Sequence, residues 1–189
     1  MLFYYATRDG QSRRIAERLA EGLRTHGIAA SPEDVAGVMP SPARLGAAPL
    51  VVLVAAIRYG KHLPEARRLL ELYSDLPSPP PLVFASVNLT ARKPGKDTPE
   101  GNLYLRETIA HYRLRPIAAA AIAGRLDYSK YGWFDRTMIR CIMLLTGGPT
   151  DPRARVEYTD WAKVDAFAER IAECYSEAAS SGSPPPSRR

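Results

Sequence analysis

The segment at residues 2–12 reads LFYYATRDGQS, and RRIAERLA follows it at residues 13–20. Residues 2–6 are apolar or aromatic, which is typical of a buried strand, and the apolar residues after Ser12 recur at helical spacing. A loop between a strand and a helix N-terminus presents free backbone N–H groups and the positive end of the helix dipole. Thr7 and Ser12 add hydroxyl groups, and Gly10 lets the backbone approach a ligand closely. The segment therefore indicates either an anion site or an ordinary strand-to-helix turn, and it lacks the G-x-G-x-x-G and P-loop patterns of common nucleotide-binding folds.

Length and composition indicate the class of protein and the sign of the charge expected on its partners. The chain has 189 residues, enough for one domain with a sizeable core, and its net charge is +6. This charge favours an anionic partner: nucleic acid, an acidic membrane surface or a carboxylate-rich small molecule. Cys141 and Cys174 form no metal-binding or disulfide pattern. We find neither a signal peptide nor an apolar run long enough to span a bilayer, and we therefore expect a reduced, cytoplasmic protein. Because the cysteines form no metal-binding pattern, we also expect no bound metal.

Strand and helix patterns alternate along the chain. After the first strand we predict strands at residues 28–30, 50–55, 82–87 and 116–123, and helices at residues 11–26, 64–73, 99–112 and 161–175. The proline-rich connection around Pro40 and Pro42 is expected to have little regular structure. This alternation predicts an α/β fold with a doubly wound parallel sheet. Residues 1–178 are expected to form a single domain, and the Ser/Pro-rich tail at 179–189 to be disordered.

Ligands of such sheets bind at the carboxyl ends of the strands, so the loops after the third and fourth strands are the next candidates. The first of them, AIRYGKH at residues 56–62, combines an aromatic ring, a glycine and three basic side chains. Tyr59 and the Arg58 guanidinium are suited to flank a planar, electron-poor ring. The second, SVNLTARKP at residues 86–94, carries small polar residues able to hydrogen-bond the edge of a heterocycle. We assign no catalytic base, since a lone loop histidine such as His62 is usually solvated.

Five segments together resemble a known family: TRDGQ at 7–11, IRYG at 57–60, SVNL at 86–89, ARKP at 91–94 and YTDW at 158–161. The layout resembles flavodoxin and, more closely, the flavodoxin-like, quinone-dependent protoporphyrinogen oxidases of bacteria, over nearly the whole chain except the C-terminal tail. The resemblance implies a five-stranded parallel sheet of order 2-1-3-4-5, with an insertion at about residues 124–155 after or within the fifth strand. It also implies FMN as cofactor. Asp9 stands where a flavodoxin usually carries Thr, so we expect its carboxylate to turn away from the phosphate and its N–H to serve.

The resemblance also implies which residues hold the cofactor. The phosphate is expected at Thr7, Arg8, Asp9, Gly10, Gln11 and Ser12. The isoalloxazine is expected at Ala56, Ile57, Arg58, Tyr59 and Gly60 on one side and at Ser86, Val87, Asn88, Leu89, Thr90, Ala91 and Arg92 on the other.

The predicted insertion carries a helical pattern from Trp133 to Leu145 with one apolar stripe. Arg136 and Arg140 lie one turn apart, away from that stripe. Apolar residues with a cationic margin are typical of an interfacial membrane helix. A helix packed on the domain or on a second subunit is the equal alternative. We therefore expect either a peripheral membrane contact through about residues 125–145 or a protein-packed insertion.

The implied activity is the oxidation of protoporphyrinogen IX to protoporphyrin IX in heme biosynthesis, with FMN passing electrons to a membrane quinone, menaquinone or ubiquinone. Guanidinium and ammonium groups pair with carboxylates, so the candidate partners of the substrate propionates are Lys61, Lys93, Arg125 and Arg136. One alternative is an electron-carrier flavodoxin, although such carriers are typically acidic around the flavin. Another is a soluble flavin-dependent quinone reductase. No nucleic acid is expected, because the basic residues are scattered rather than gathered in one stripe with stacking aromatics. The expected location is the cytoplasm, at the inner face of the cytoplasmic membrane.

Overall fold

A parallel sheet forms the centre of the computed structural model, which describes residues 1–127 and 155–181. Its strands, in chain order, are β1 (Leu2–Ala6), β2 (Glu33–Asp34), β3 (Val51–Arg58), β5 (Leu82–Asn88) and β6 (Ala118–Ala123). They are hydrogen-bonded in the order β2-β1-β3-β5-β6. The short strand β4 (Lys61–His62) turns back and pairs antiparallel with the end of β3. When β4 is left out, β5 and β6 are the fourth and fifth strands, so the predicted order 2-1-3-4-5 is confirmed.

Helices cover both faces of this sheet. They are α1 (Gln11–Thr25), α2 (Pro42–Gly46), α3 (Pro64–Ser74), α4 (Leu103–His111) and α5 (Trp161–Ser181), with a 3-10 turn at Leu89–Arg92. Successive strand residues point to opposite faces, which divides the core in two. Phe3, Val52 and Val83 pack on the side of α1 and α5. Tyr4, Leu53 and Phe84 pack on the side of α2, α3 and α4.

The predicted second strand at residues 28–30 is wrong, because β2 lies at Glu33–Asp34. Gly27 has a φ of +72° and ends α1, and the Ile28 N–H donates to the Leu23 carbonyl at 3.0 Å. The chain therefore still follows the end of the helix at Ile28, whose partly buried side chain packs on the core. Pairing with β1 begins only at Glu33, opposite Tyr4.

The proline-rich connection contains α2, where we expected little regular structure. The Ser41 side chain accepts a hydrogen bond from the Arg44 N–H at 3.2 Å, and Pro42 occupies the first turn. A hydroxyl cap followed by proline is a favourable helix start, even for a helix this short.

Three further boundaries differ from the predicted ones by three residues or more. The third strand continues past residue 55 to Arg58, because β4 supplies a partner for its last residues. The fourth helix starts at Leu103 rather than at residue 99, since the Asn102 side chain caps it by accepting from the Leu105 N–H at 3.2 Å. The last helix extends to Ser181, into the segment predicted to be disordered. Residues 182–189 lie outside the described residues.

The described ends of the predicted insertion meet as a small sheet. Strands β7 (Arg125–Asp127) and β8 (Arg155–Glu157) pair antiparallel. The predicted helix at 133–145 and the candidate substrate residue Arg136 lie outside the described residues. None of the described helices is long and apolar enough to cross a membrane.

The contact between α1 and α5 generates a stability prediction. A methyl group at Gly22 would stand 2.7 Å from the Ala168 Cβ, and Ala168 is buried. Alanine favours a helix over glycine by up to about 1 kcal/mol, but overpacking of this kind costs roughly 1–3 kcal/mol. We therefore expect Gly22→Ala to lower the free energy of unfolding, measured by urea denaturation.

Two further variants test this explanation. Gly46→Ala in α2 is the matched control, because its added methyl would meet Leu76 at an ordinary 3.9 Å. The double variant Gly22→Ala/Ala168→Gly should be more stable than the sum of the single effects, as expected for residues in contact. A stabilised Gly22→Ala protein would show that the two helices do not pack as described.

Candidate functional site

Parallel pairing brings three loops to one edge of the sheet. Ala6 pairs with Ala55, and Ala56 pairs with Val87, so β1, β3 and β5 end at the same edge. The loop at residues 7–10, the turn at Tyr59–Gly60 and the 3-10 turn at Leu89–Arg92 follow these strands. This is the edge at which open α/β sheets bind ligands.

The first loop closes on itself and leaves a polar group without a partner. The Gly10 N–H donates to Thr7 Oγ1 at 3.0 Å, and the Arg14 N–H donates to the Gly10 carbonyl at 3.1 Å. Ser12 is only 1% exposed, and its Oγ has no hydrogen-bond partner in the protein. Buried hydroxyls are rarely left in this state, because the loss of water is then uncompensated.

The space around Gly10 suits a ligand. Its φ is +88°, and a Cβ added there would meet no atom within 4 Å. The first turn of α1 carries no acidic residue of its own, so no carboxylate within that turn competes with an anion for the positive end of the helix dipole. The unpartnered hydroxyl, the open space and the helix N-terminus together fit an anionic group such as a phosphate.

Gln11 differs from the other residues of this loop, because its side chain binds the protein. Its Nε2 donates to Thr159 Oγ1 at 2.8 Å and to Glu157 Oε1 at 3.1 Å. Thr159 in turn donates to the Ala123 carbonyl at 2.7 Å. The Gln11 side chain therefore connects the start of α1 to the ends of β6 and β8. Gln11 contributes its backbone atoms, rather than its side chain, to the loop.

Glu157 has no role in the sequence-based prediction, and Thr159 enters it only as part of the segment YTDW at 158–161. Burial tends to raise the pKa of Glu157, but hydrogen bonds from Arg14 and Gln11, together with the charge of Arg14, hold that pKa below its usual value. Arg14 Nη1 lies 3.0 Å from Glu157 Oε2. No local signal identifies these partners, because they are separated from α1 by more than 140 positions.

Arg58 lies between the first loop and the second. Its Nη1 is 3.7 Å from Asp9 Oδ2, and its guanidinium carbon is 5.4 Å from the centre of the Tyr59 ring. The Asp9 carboxylate thus has a cation beside it. A partly exposed pair of this kind adds little stability, but it holds two loops of the site together.

The Tyr59–Gly60 turn has an unusual backbone. Both residues have positive φ, +52° and +76°, as a two-residue type I′ hairpin requires. Tyrosine in this conformation is strained, and such strain tends to persist at functional sites. The Tyr59 side chain is 59% exposed. The turn therefore presents a flat aromatic ring to solvent at the ligand-binding edge.

The third loop is shorter than predicted, because Ser86, Val87 and Asn88 lie in β5 and are buried. Asn88 Oδ1 accepts from the Ala91 N–H at 3.0 Å and so caps the 3-10 turn. Arg92 donates to the Leu89 carbonyl at 2.7 Å. The surface presented at this position is that of residues 89–92.

His62 is not the solvated loop histidine that we expected. It is 4% exposed and its ring centre lies 5.2 Å from that of Phe84. Nδ1 lies 3.0 Å from Thr108 Oγ1, and Nε2 lies 3.0 Å from Ser86 Oγ. The strand β4 carries the ring inward, a placement that the sequence spacing did not indicate.

The neighbouring hydrogen bonds decide the tautomer of His62. The Thr108 hydroxyl donates to the Tyr104 carbonyl at 2.8 Å, so it accepts from His62 Nδ1–H. Nε2 is then an acceptor, and the Ser86 hydroxyl donates to it. Ser86 Oγ accepts in turn from Asn88 Nδ2 at 3.1 Å. All donors and acceptors match only when the imidazole is neutral, and burial lowers the pKa of His62 to about 3.

The hydrogen bonds continue from Asn88 to Asn102. Asn102 Nδ2 donates to Asn88 Oδ1 at 3.1 Å and to the Lys96 carbonyl at 2.8 Å. We call Thr108, His62, Ser86, Asn88 and Asn102 the buried polar chain.

Three of the predicted substrate-binding cations, Lys61, Lys93 and Arg125, lie within the described part of the chain. Lys61 is exposed on β4 beside the Tyr59–Gly60 turn, and Lys93 follows the 3-10 turn. Arg125 lies on β7, opposite Glu157. Arg92 adds a further cation, with its guanidinium carbon 5.5 Å from the centre of the Tyr158 ring.

Comparison with known proteins identifies both a family and a fold. A family model described as a flavodoxin domain matches residues 2–153. The protoporphyrinogen IX dehydrogenase (quinone) of Escherichia coli K12 is 43% identical over 173 residues, which cover 90% of this chain and 93% of that protein. A protein of the same name from Leishmania major is 35% identical over 172 residues, covering 90% of this chain and 74% of that protein.

Solved structures show the same fold at low sequence identity. Oxidised flavodoxin 1 from Bacillus cereus has a TM-score of 0.55 at 12% identity and covers 91% of this chain and 96% of its own. The rubredoxin oxygen:oxidoreductase of Desulfovibrio gigas has a TM-score of 0.54 at 13% identity, covering 94% of this chain and 36% of its own. These likenesses concern the fold alone.

The burial of His62 generates a prediction on pH dependence. Its pKa is about 3 in the fold and 6.5 in a free side chain, so between these values the unfolded chain binds more protons and stability falls as pH falls. From pH 7.5 to 5.0 the His62 contribution lost is about 2 kcal/mol. His62→Gln cannot protonate and should lose less stability by that amount in urea unfolding at the two pH values. Equal losses in both proteins would mean that His62 titrates normally.

Proposed function

The chain belongs to the flavodoxin-domain family that includes the protoporphyrinogen IX dehydrogenases (quinone), and on that premise we propose that it oxidises protoporphyrinogen IX with FMN as cofactor and a quinone as electron acceptor. Family membership supports a flavin-dependent oxidoreductase. The identity of the flavin and the residues that hold it are our proposal.

The observation that carries the proposal is the first loop. The buried Ser12 hydroxyl without a partner and the open space beside Gly10 lie at a helix N-terminus. These features suit the terminal phosphate of FMN, which is a small, strongly charged anion. Thr7 Oγ1 already accepts from the Gly10 N–H, so its own proton is available to the phosphate. Backbone N–H groups of residues 11 and 12, in the first turn of α1, complete the proposed set of donors.

We assign the flavin ring to the space between the other two loops. The exposed Tyr59 ring supplies a stacking surface on one side, and residues 89–92 supply polar backbone on the other. Arg8, Ala56 and Ile57 remain proposed contacts without an assigned bond. Bound FMN would supply the oxidant: it would accept a hydride equivalent from the porphyrinogen and pass the electrons to the quinone.

Charge around the ring loops favours this activity over that of an electron carrier. Arg58, Lys61, Arg92 and Lys93 lie in or beside the two loops, and Arg125 lies on β7. Cations at this edge attract the propionate carboxylates of the substrate and orient them. They also attract the negative charge that a bound flavin gains on reduction, because opposite charges attract.

We propose further that the protein contacts the inner face of the cytoplasmic membrane through about residues 125–145. The reason is chemical: a lipid-dissolved quinone is accessible only at the bilayer surface. The apolar stripe and the basic residues of this segment, Arg136 included, are the sequence features that support the contact.

Substitutions in the first loop test the placement of the phosphate. Ser12→Ala removes one hydrogen bond to a charged group and should weaken FMN binding by roughly tenfold or more. Gly10→Val should abolish FMN retention, because the side chain fills the open space and is strained at a φ of +88°. Binding is measured by quenching of FMN fluorescence on addition of apoprotein.

Gly27→Val is the matched control for backbone strain. Gly27 also has a positive φ, +72°, and open space around its Cβ position, but it follows the far end of α1. This variant should retain FMN at full occupancy. Full occupancy in Gly10→Val would instead remove the proposed phosphate site.

The proposed activity is tested under anaerobic conditions. Mixing FMN-loaded protein with protoporphyrinogen IX should bleach the flavin absorbance and produce porphyrin fluorescence. Adding a quinone carried in anionic phospholipid vesicles should restore the absorbance. A flavin that stays oxidised with porphyrinogen, yet accepts electrons from a reductase, would identify an electron carrier instead.

A further inference from the structure

The buried polar chain begins and ends on the same helix. Thr108 lies in α4, and Asn102 caps the N-terminus of that helix through the Leu105 N–H. Between Thr108 and Asn102, the buried polar chain passes through His62 on β4 and through Ser86 and Asn88 on β5. Three segments, α4 with its N-cap, β4 and β5, are therefore joined by one path of hydrogen bonds that returns to the helix on which it starts.

This path passes directly beneath two surfaces of the candidate site. His62 follows the Tyr59–Gly60 turn by two residues and pairs with Ile57 of β3. Asn88 caps the 3-10 turn at Leu89–Arg92. Any shift of the hairpin relative to that turn must therefore break or lengthen a hydrogen bond among His62, Ser86 and Asn88.

An ordinary apolar contact would fill the same space without this directional constraint. A buried polar group is costly unless each donor and acceptor is matched, and a fully matched network permits one arrangement. The protons point in one direction, from Asn88 through Ser86 and His62 to Thr108 and the Tyr104 carbonyl. The fold thus has buried polar side chains at positions where aliphatic side chains would also pack.

We propose that His62 is a positioning residue, which acts through Ser86 and Asn88 to fix the Tyr59–Gly60 turn relative to the turn at residues 89–92. The two surfaces assigned to the flavin ring are then held at a set separation before the cofactor binds. Preorganisation of this kind raises affinity because less freedom is lost on binding. The inference rests on the proposed flavin site, and it assigns Ser86 and Asn88 an indirect role in place of contact with the cofactor.

The test measures FMN affinity of apoprotein variants by fluorescence quenching, and amide hydrogen exchange at residues 59–62 and 89–92. Thr108→Val keeps the shape of the side chain but removes the hydroxyl that accepts from His62 at one end of the buried polar chain. We expect Thr108→Val and His62→Ala to weaken FMN binding at least about tenfold and to speed exchange in both turns. His62→Gln retains one donor and one acceptor, and should stay close to the wild type.

Tyr73→Phe is the matched control for loss of a buried hydrogen bond. The Tyr73 hydroxyl donates to the Pro80 carbonyl at 2.6 Å, ahead of the start of β5 and therefore at the opposite edge of the sheet. This variant should lose stability without changing FMN affinity. Wild-type affinity and wild-type exchange in both Thr108→Val and His62→Ala would overturn the proposal, as would equal effects in Tyr73→Phe.

Failure of the proposed function gives a different result. Porphyrinogen oxidation does not enter this test, so a protein that binds FMN but lacks that activity still decides the role of His62. If wild-type apoprotein takes up no FMN, the flavin proposal fails, and exchange at the two turns alone shows whether His62 fixes them.

Discussion

The parallel register of β1, β3 and β5 is the constraint on which the site depends. Because these strands start in register and run in the same direction, the loops that leave them share one edge. The loops are separated by tens of residues, yet one carries a helix N-terminus, one an exposed aromatic ring and one a capped 3-10 turn. None of these features makes a binding site alone, and the register brings them to one edge of the sheet, where open α/β sheets bind ligands.

Register alone leaves the loops free to move, and buried polar contacts restrict them. Gln11, Thr159 and the Ala123 carbonyl join the start of α1 to the end of β6. The buried polar chain joins the hairpin, β5 and α4 on the other side. Both sets of hydrogen bonds lie below the ligand-binding edge of the sheet rather than on its surface. The groups available to a ligand are consequently those left over, with the Ser12 hydroxyl the clearest among the described residues.

Charge distinguishes this edge from that of an acidic electron carrier. Arg58, Lys61, Arg92 and Lys93 lie around the two loops assigned to the flavin ring, and the chain as a whole is basic, with a net charge of +6. A substrate with carboxylates and an electron acceptor in a membrane both suit such a surface. The sequence relatives, which cover most of this chain, are dehydrogenases named for a porphyrinogen and a quinone, and the charge gives a physical reason for that chemistry.

Sequence by itself determined what depends on near neighbours. Strand and helix periodicity predicted the sheet, its parallel class and most helices, and the Gly10 loop was found from its residues. Tertiary structure decided what depends on distant partners. β2 lies where β1 offers hydrogen bonds rather than where apolar residues cluster, and Gln11 and Asn88 turn inward. His62 is buried because its partners, 24 and 46 residues away, meet it only in the folded protein. A polar side chain has the same local pattern in solvent or in a core, so only packing shows which of the two it occupies.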